Sequence, residues 1–104
     1  MTPEGKVKKK IKEVLDKYGV YYFMPVQMGY GPSGLDFHCG VKVRHIHIGF
    51  YVEAKDFEEE PTKRQVDLIK KLRAMNAKVF VIDDDISLTM LEDYLHTLQT
   101  MDKQ

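Results

Sequence analysis

The chain predicts a single α/β domain: one mixed β-sheet flanked by helices, in the order α-β-β-β-α-β-α. Three observations carry that reading. At 104 residues there is room for one hydrophobic core and not for two. Hydrophobic residues at 43% and charged residues at 31% are the mixture of a globular domain rather than of a disordered or collagen-like chain. Apolar residues recur at helical spacing near both ends and in one internal stretch, and short runs rich in β-branched and aromatic residues lie between them.

Thr2 followed by Pro3 reads as an N-cap and first helical position, and Val7, Ile11, Val14, Leu15 and Tyr18 then form one apolar stripe ending at Gly19. Val20 to Val26 reads as a strand bounded by Pro25 and a glycine-rich turn from Gly29 to Gly34. Leu35 to Cys39 and His45 to Ala54 look like two arms of an antiparallel hairpin, with Gly40 to Arg44 near its reversal. Glu58, Glu59, Glu60 and Pro61 make an acidic connection, after which Thr62 and Gln65 have capping-box spacing. Val66, Ile69, Leu72 and Met75 then supply a buried helical face, and Asn76 is a left-handed terminator. Lys78 to Ile82 is a short strand closed off by Asp83, Asp84 and Asp85. Ser87 caps a last helix with Leu88, Leu91, Leu95 and Leu98 inward.

Sixteen basic and sixteen acidic side chains give a formal net charge of zero, which at first sight disfavours a nucleic-acid partner. The neutrality is a cancellation. Residues 1–52 carry 8 basic and 4 acidic side chains, a net +4, and residues 53–104 carry 8 and 12, a net −4. Residues 6–12 alone hold five lysines and no acid. Cys39 is the single cysteine, so no intrachain disulfide forms and a reducing cytosol is the expected compartment. With neither an apolar signal core nor an apolar run near the roughly 20 residues that span a bilayer, secretion and membrane insertion are not expected.

Gly29-Tyr30-Gly31-Pro32-Ser33-Gly34 satisfies G-x-G-x-x-G, but it leads into strand rather than opening a helix, so no nucleotide cofactor is expected. His38, Cys39, His45 and His47 contain zinc-ligand types at a spacing that matches no familiar zinc pattern, and ordinary histidines are the better reading. The strongest constellation is Asp36 with Glu53-Ala54-Lys55. Period-two alternation puts Glu53 and Lys55 on one face, and the hairpin brings Asp36 beside them. Hard divalent cations prefer oxygen, so Asp36, Glu53 and the backbone carbonyl of Ala54 form a ligand set for Mg²⁺, with Mn²⁺ as a substitute. Lys55 would orient a nucleophile and offset transition-state charge, which is the chemistry of phosphodiester hydrolysis.

Gly31-x-x-Gly34-Leu35-Asp36-Phe37, Gly49-Phe50-Tyr51-Val52-Glu53-Ala54-Lys55 and Pro61-Thr62-Lys63-Arg64-Gln65 together resemble the PD-(D/E)XK nuclease superfamily. Within it the pattern is similar to the VRR-NUC family, particularly its small stand-alone phage and bacterial members. The resemblance runs from Pro3-Glu4 through Val79 to Asp83, roughly four fifths of the chain. It implies a restriction-endonuclease-like core spanning residues 1–104 as one nuclease domain. It also implies Asp36 and Glu53 as metal ligands, Lys55 as catalytic lysine, Gln65 as a site-facing glutamine, and Glu4 as a helix glutamate reaching the metal through water. Leu35 stands where the superfamily's nominal motif has proline, a position that supplies no ligand. The bland readings are that Gln65 completes the capping box with Thr62 and that Glu4 complements a helix N-terminus.

The implied activity is Mg²⁺-dependent DNA endonuclease cleavage, structure-selective for branched or four-way-junction DNA, by a homodimer in a phage-infected or prophage-bearing host. An inactive nucleic-acid-binding module of the same fold is the rival. Lys6, Lys8, Lys9, Lys10 and Lys12, Lys42 and Arg44 at the hairpin tip, and Lys63 and Arg64 are the candidate DNA contacts. Tyr21, Tyr22, Phe23 and Phe50 read as an apolar cluster suited to dimerisation.

Overall fold

The computed structural model describes residues 3–25, 34–55 and 62–104. Its elements are α1 (Pro3–Lys17), β1 (Tyr21–Phe23), β2 (Phe37–Val43), β3 (Ile46–Ala54), α2 (Lys63–Ala74), β4 (Lys78–Ile82) and α3 (Asp85–Asp102), in the order read from the sequence. The strands form one sheet ordered β1-β2-β3-β4. β1, β2 and β3 pair antiparallel and β4 pairs parallel to β3, so their connection crosses over, with α2 as the crossover. The Thr2 cap, Val26, the glycine-rich turn through Ser33 and the connection through Pro61 lie outside the described residues.

Strand alternation sorts the side chains onto two faces. Phe37, Phe50, Val52, Ala54, Phe80 and Ile82 join Ile11 and Leu15 of α1 and Leu91 and Leu95 of α3 in the main core. Phe50, Phe80 and Tyr94 pack ring against ring, with centroids 5.2–6.2 Å apart. On the other face, Leu35 and Val79 meet Ile69 of α2, with Tyr51, Leu68, Leu72 and Val81 packed around them. Two helices thus cover one face, and one helix covers part of the other.

The helix ends follow local chemistry, with one correction. Gly19 (φ +66°) and Asn76 (φ +65°) take the left-handed conformation that stops α1 and α2. Thr62 and Gln65 form the capping box of α2. The cap of α3 is Asp84 rather than Ser87: Asp84 Oδ1 accepts from the Ser87 amide at 2.7 Å, and Ser87 Oγ accepts from the Asp84 amide at 3.2 Å. An aspartate caps as well as a serine and also favours the positive helix end, so an acid that reads as a strand terminator opens the helix. Those contacts hold the Asp84 carboxyl below its usual range.

Three further expectations change. The hairpin reverses at Arg44-His45, and Gly40 to Val43 are ladder residues of β2. Arg44 takes φ +57°, a conformation costing about 1 kcal/mol without glycine, and two contacts to the end of α3 hold it there. Its amide donates to Asp102 and its Nε to the Met101 carbonyl. Met75 caps α2 and is exposed, while Leu68 packs in its place. The aromatic cluster is divided by the sheet: Phe50 is buried in the main core and Tyr22 packs on Phe37, leaving Tyr21 and Phe23 exposed on the opposite face.

Candidate active site

The β2–β3 register decides the site. Phe37 pairs with Val52 at the end of the ladder, so Asp36, the next residue, stands beside Glu53, which strand alternation sets on the α2 face. Asp36 Oδ2 accepts from the Ala54 amide at 2.8 Å, which fixes the carboxylate against the end of β3. In extended backbone a residue's carbonyl points to the same side as its amide, so the Ala54 carbonyl is also turned toward Asp36.

Glu53 is 1% exposed, and its Oε2 has no hydrogen-bond partner among the described residues. Burial, first, and then the hydrogen bond and charge of Asp36 push its carboxyl up to about 9, against the opposing pull of Lys55. An unpartnered buried carboxylate oxygen is costly and calls for a proton or a cation. Two facing carboxylates, one with a spare oxygen, fit a hard divalent cation.

Lys55 follows β3, and its amide donates to the Ile82 carbonyl at 2.9 Å, which extends the parallel ladder by one bond. Its Nζ donates to Gln65 Oε1 at 2.7 Å. The same oxygen accepts from the Thr62 amide at 3.1 Å, while Thr62 Oγ1 accepts from the Gln65 amide at 3.2 Å. Gln65 therefore completes the capping box read for it and, in addition, holds the Lys55 ammonium, a contact the sequence reading did not include.

α1 reaches the site from the other face of the sheet. Lys8 Nζ lies 3.6 Å from Asp36 Oδ1 and 4.0 Å from Glu4 Oε1. Glu4 thus approaches the carboxylates through Lys8, and among the described residues no group of three His, Cys, Asp or Glu side chains converges to hold a metal. Lys8 was expected only among the DNA contacts; the i, i+4 spacing of Glu4 and Lys8 was the available signal that they act together.

The other basic residues divide by position. Lys63 and Arg64 occupy the first turn of α2, which carries no acid, beside Gln65. Lys6 and Lys9 are exposed, Lys12 is half-buried, and Lys10 pairs with Asp85 at 3.3 Å. Lys42 and Arg44 stand at the far end of the hairpin, about 20 Å or more from Asp36 at ~3.3 Å per residue. Cys39 faces the main core, away from His38 and His47, and burial pushes its thiol up to about 12. No family model matches this chain, and no curated protein does.

Proposed function

We propose that the protein is a metal-dependent DNA endonuclease of the PD-(D/E)XK type, resembling the VRR-NUC family and selective for branched or otherwise structured DNA. The observation that carries this reading is the Asp36–Glu53 pair with its spare buried oxygen, beside a lysine held by Gln65. Asp36, Glu53 and the Ala54 carbonyl would hold Mg²⁺ or Mn²⁺, with Glu4 contributing through water. Such a cation polarises a phosphate oxygen and lowers the pKa of water. Lys55 points a nucleophile at the phosphorus and offsets the charge that builds on the phosphate, and Gln65 fixes the direction of its ammonium.

Lys63 and Arg64 place positive charge at a helix N-terminus, against the preference of the helix dipole, where it suits a phosphate beside the site. Lys6, Lys8, Lys9, Lys10 and Lys12 would extend that grip along α1. A homodimer whose two sites meet two strands of a branch, a cytosolic setting and a phage or prophage origin belong to the same reading. Among the described residues no helix is long and apolar enough to cross a membrane.

The test is digestion of labelled flaps, single strands, duplexes and four-way junctions in Mg²⁺, in Mn²⁺ and in EDTA. Metal-dependent cutting of branched DNA, lost in Asp36→Asn and Lys55→Ala, is the expected result. If every structure stays intact in both metals, the enzyme reading fails, and DNA binding without cutting then favours a silent nucleic-acid-binding module of this fold.

A further inference from the structure

The α2 face of the sheet continues beyond the carboxylates in transverse rows, because β1, β2 and β3 pair in unbroken register. Glu53, with Asp36 held against its neighbour Ala54, stands in the first row. Phe23, His38 and Tyr51 are the second, with ring centroids 6.3 Å and 5.1 Å apart and neighbouring rings nearly perpendicular. Tyr21, Gly40 and Gly49 are the third, and Lys42 and His47 the fourth. First to fourth row is six residues along a strand, about 20 Å.

The rows lie beside α2 and are open toward β1, where Tyr21 is 70% and Phe23 55% exposed. Where α2 meets the second row there is a pocket of about 180 Å³, lined by Gly34, Leu35, His38, Tyr51, Leu68 and Leu72. Leu35 is the immediate neighbour of Asp36, so the pocket adjoins the candidate site. In the third row the backbone itself is the floor. A Cβ on Gly40 would come within 2.3 Å of His47 Cε1, and its absence lets the imidazole lie against the sheet. No side chain in the second, third or fourth row is acidic, and the fourth carries a lysine.

Rings, bare backbone, cationic reach at one end and a carboxylate pair at the other are complementary to an unpaired stretch of DNA. Bases present flat apolar faces to the rings, and phosphates meet Lys42 and His47. We infer that this open face binds unpaired nucleotides next to the scissile phosphate, with bases stacked on Phe23 and Tyr21 and one base seated in the pocket between His38, Tyr51 and α2. The inference rests on the nuclease reading for the position of the scissile phosphate and deepens it by naming the substrate feature: a single-stranded tail or flap, rather than paired DNA alone.

The test measures binding without cleavage, in EDTA, using a blunt duplex and the same duplex with a five-nucleotide tail carrying 2-aminopurine. Wild-type protein binds the tailed duplex about tenfold or more tightly, and the 2-aminopurine fluorescence is quenched on stacking. The variant Tyr21→Thr with Phe23→Thr keeps strand propensity at two exposed positions and so retains the fold. It loses the quench and the tail preference, while its affinity for blunt duplex stays within about twofold.

Equal wild-type affinity for the two DNAs, or a variant that keeps the preference, overturns the inference. A variant that instead turns a dimer into a monomer overturns it too, because the face is then a contact between copies. The readout is independent of cutting. A protein that quenches but never cleaves leaves the face assigned and removes the nuclease, whereas one that cleaves with no tail preference does the reverse.

Discussion

Lys55 Nζ and Gln65 Oε1, 2.7 Å apart, join the end of β3 to the first turn of α2. The lysine's direction is thereby coupled to a helix cap, because the same oxygen accepts from the Thr62 amide. Stability and activity can be separated at this one side chain. Gln65→Ala removes the reciprocal half of the capping box and the Lys55 contact together while Thr62 Oγ1 still caps the helix, costing under about 1 kcal/mol of stability and, under the nuclease reading, on the order of tenfold or more in cleavage rate. Gln65→Glu retains the capping-box chemistry and recovers thermal stability. It also sets a carboxylate on Lys55 and leaves the rate low. Melting curves and single-turnover cleavage of the two variants check this, and parallel recovery of both quantities would refute it.

The raised Glu53 carboxyl has a consequence for the metal-free protein. Folded, the group keeps its proton up to about 9, whereas unfolded it ionises near its ordinary value of 4.5. Between those values the native state binds the extra proton, so its stabilising contribution is complete below about 4.5 and is lost as pH rises toward 9. Metal-free protein is therefore expected to melt several degrees lower at pH 8.5 than at pH 5.5, and Glu53→Gln flattens that slope. Adding Mn²⁺ or Mg²⁺ raises the melting temperature most at the high-pH end, where the ion no longer competes with a proton. Calorimetry across pH with and without metal measures both effects.

Lys8 sits between Glu4 and Asp36 as a tethered cation. Its ammonium balances the carboxylates and competes with any divalent ion drawn to them. Lys8 and Glu4 are each about one-third exposed, so that contact is worth under about 1 kcal/mol, while the contact to Asp36 meets a largely buried carboxylate. Lys8→Met, which keeps the apolar stem, is expected to tighten Mn²⁺ binding by about two- to fivefold, as read by electron paramagnetic resonance titration. Unchanged or weaker Mn²⁺ binding would show that Lys8 exerts no such competition.

Much of this arrangement was legible in the sequence because it depends on periodicity and pairing. Alternation alone puts Glu53 beside Lys55, and a hairpin reversing at Arg44-His45 brings Asp36 beside Glu53. The reversal itself was misplaced because Gly40 looks like a turn residue; its glycine is needed for the approach of His47, a cross-strand demand that no local signal carries. The sequence reads Lys8 only as a DNA contact because it shows the neighbours of Lys8 along the helix and not the strand end beneath it. The same limit explains Tyr21, Tyr22, Phe23 and Phe50, contiguous or similar in type but divided between two faces of the sheet.

That division changes the grounds for dimerisation. Phe50 and Tyr22 are spent on the core, so only Tyr21 and Phe23 of the original cluster are available to a partner. Among the described residues β1 is also an edge strand with one flank unpaired, a place where two copies could join sheet to sheet. A homodimer built on that edge should be sensitive to proline in β1: Tyr22→Pro would block edge pairing but also disturb the core, whereas Tyr21→Lys adds charge at an exposed edge position and spares it. Sedimentation velocity of wild type and Tyr21→Lys at micromolar concentration gives the answer. A wild-type dimer that dissociates in the variant assigns the edge, a dimer in both moves the contact elsewhere, and a wild-type monomer removes the homodimer from the proposed function.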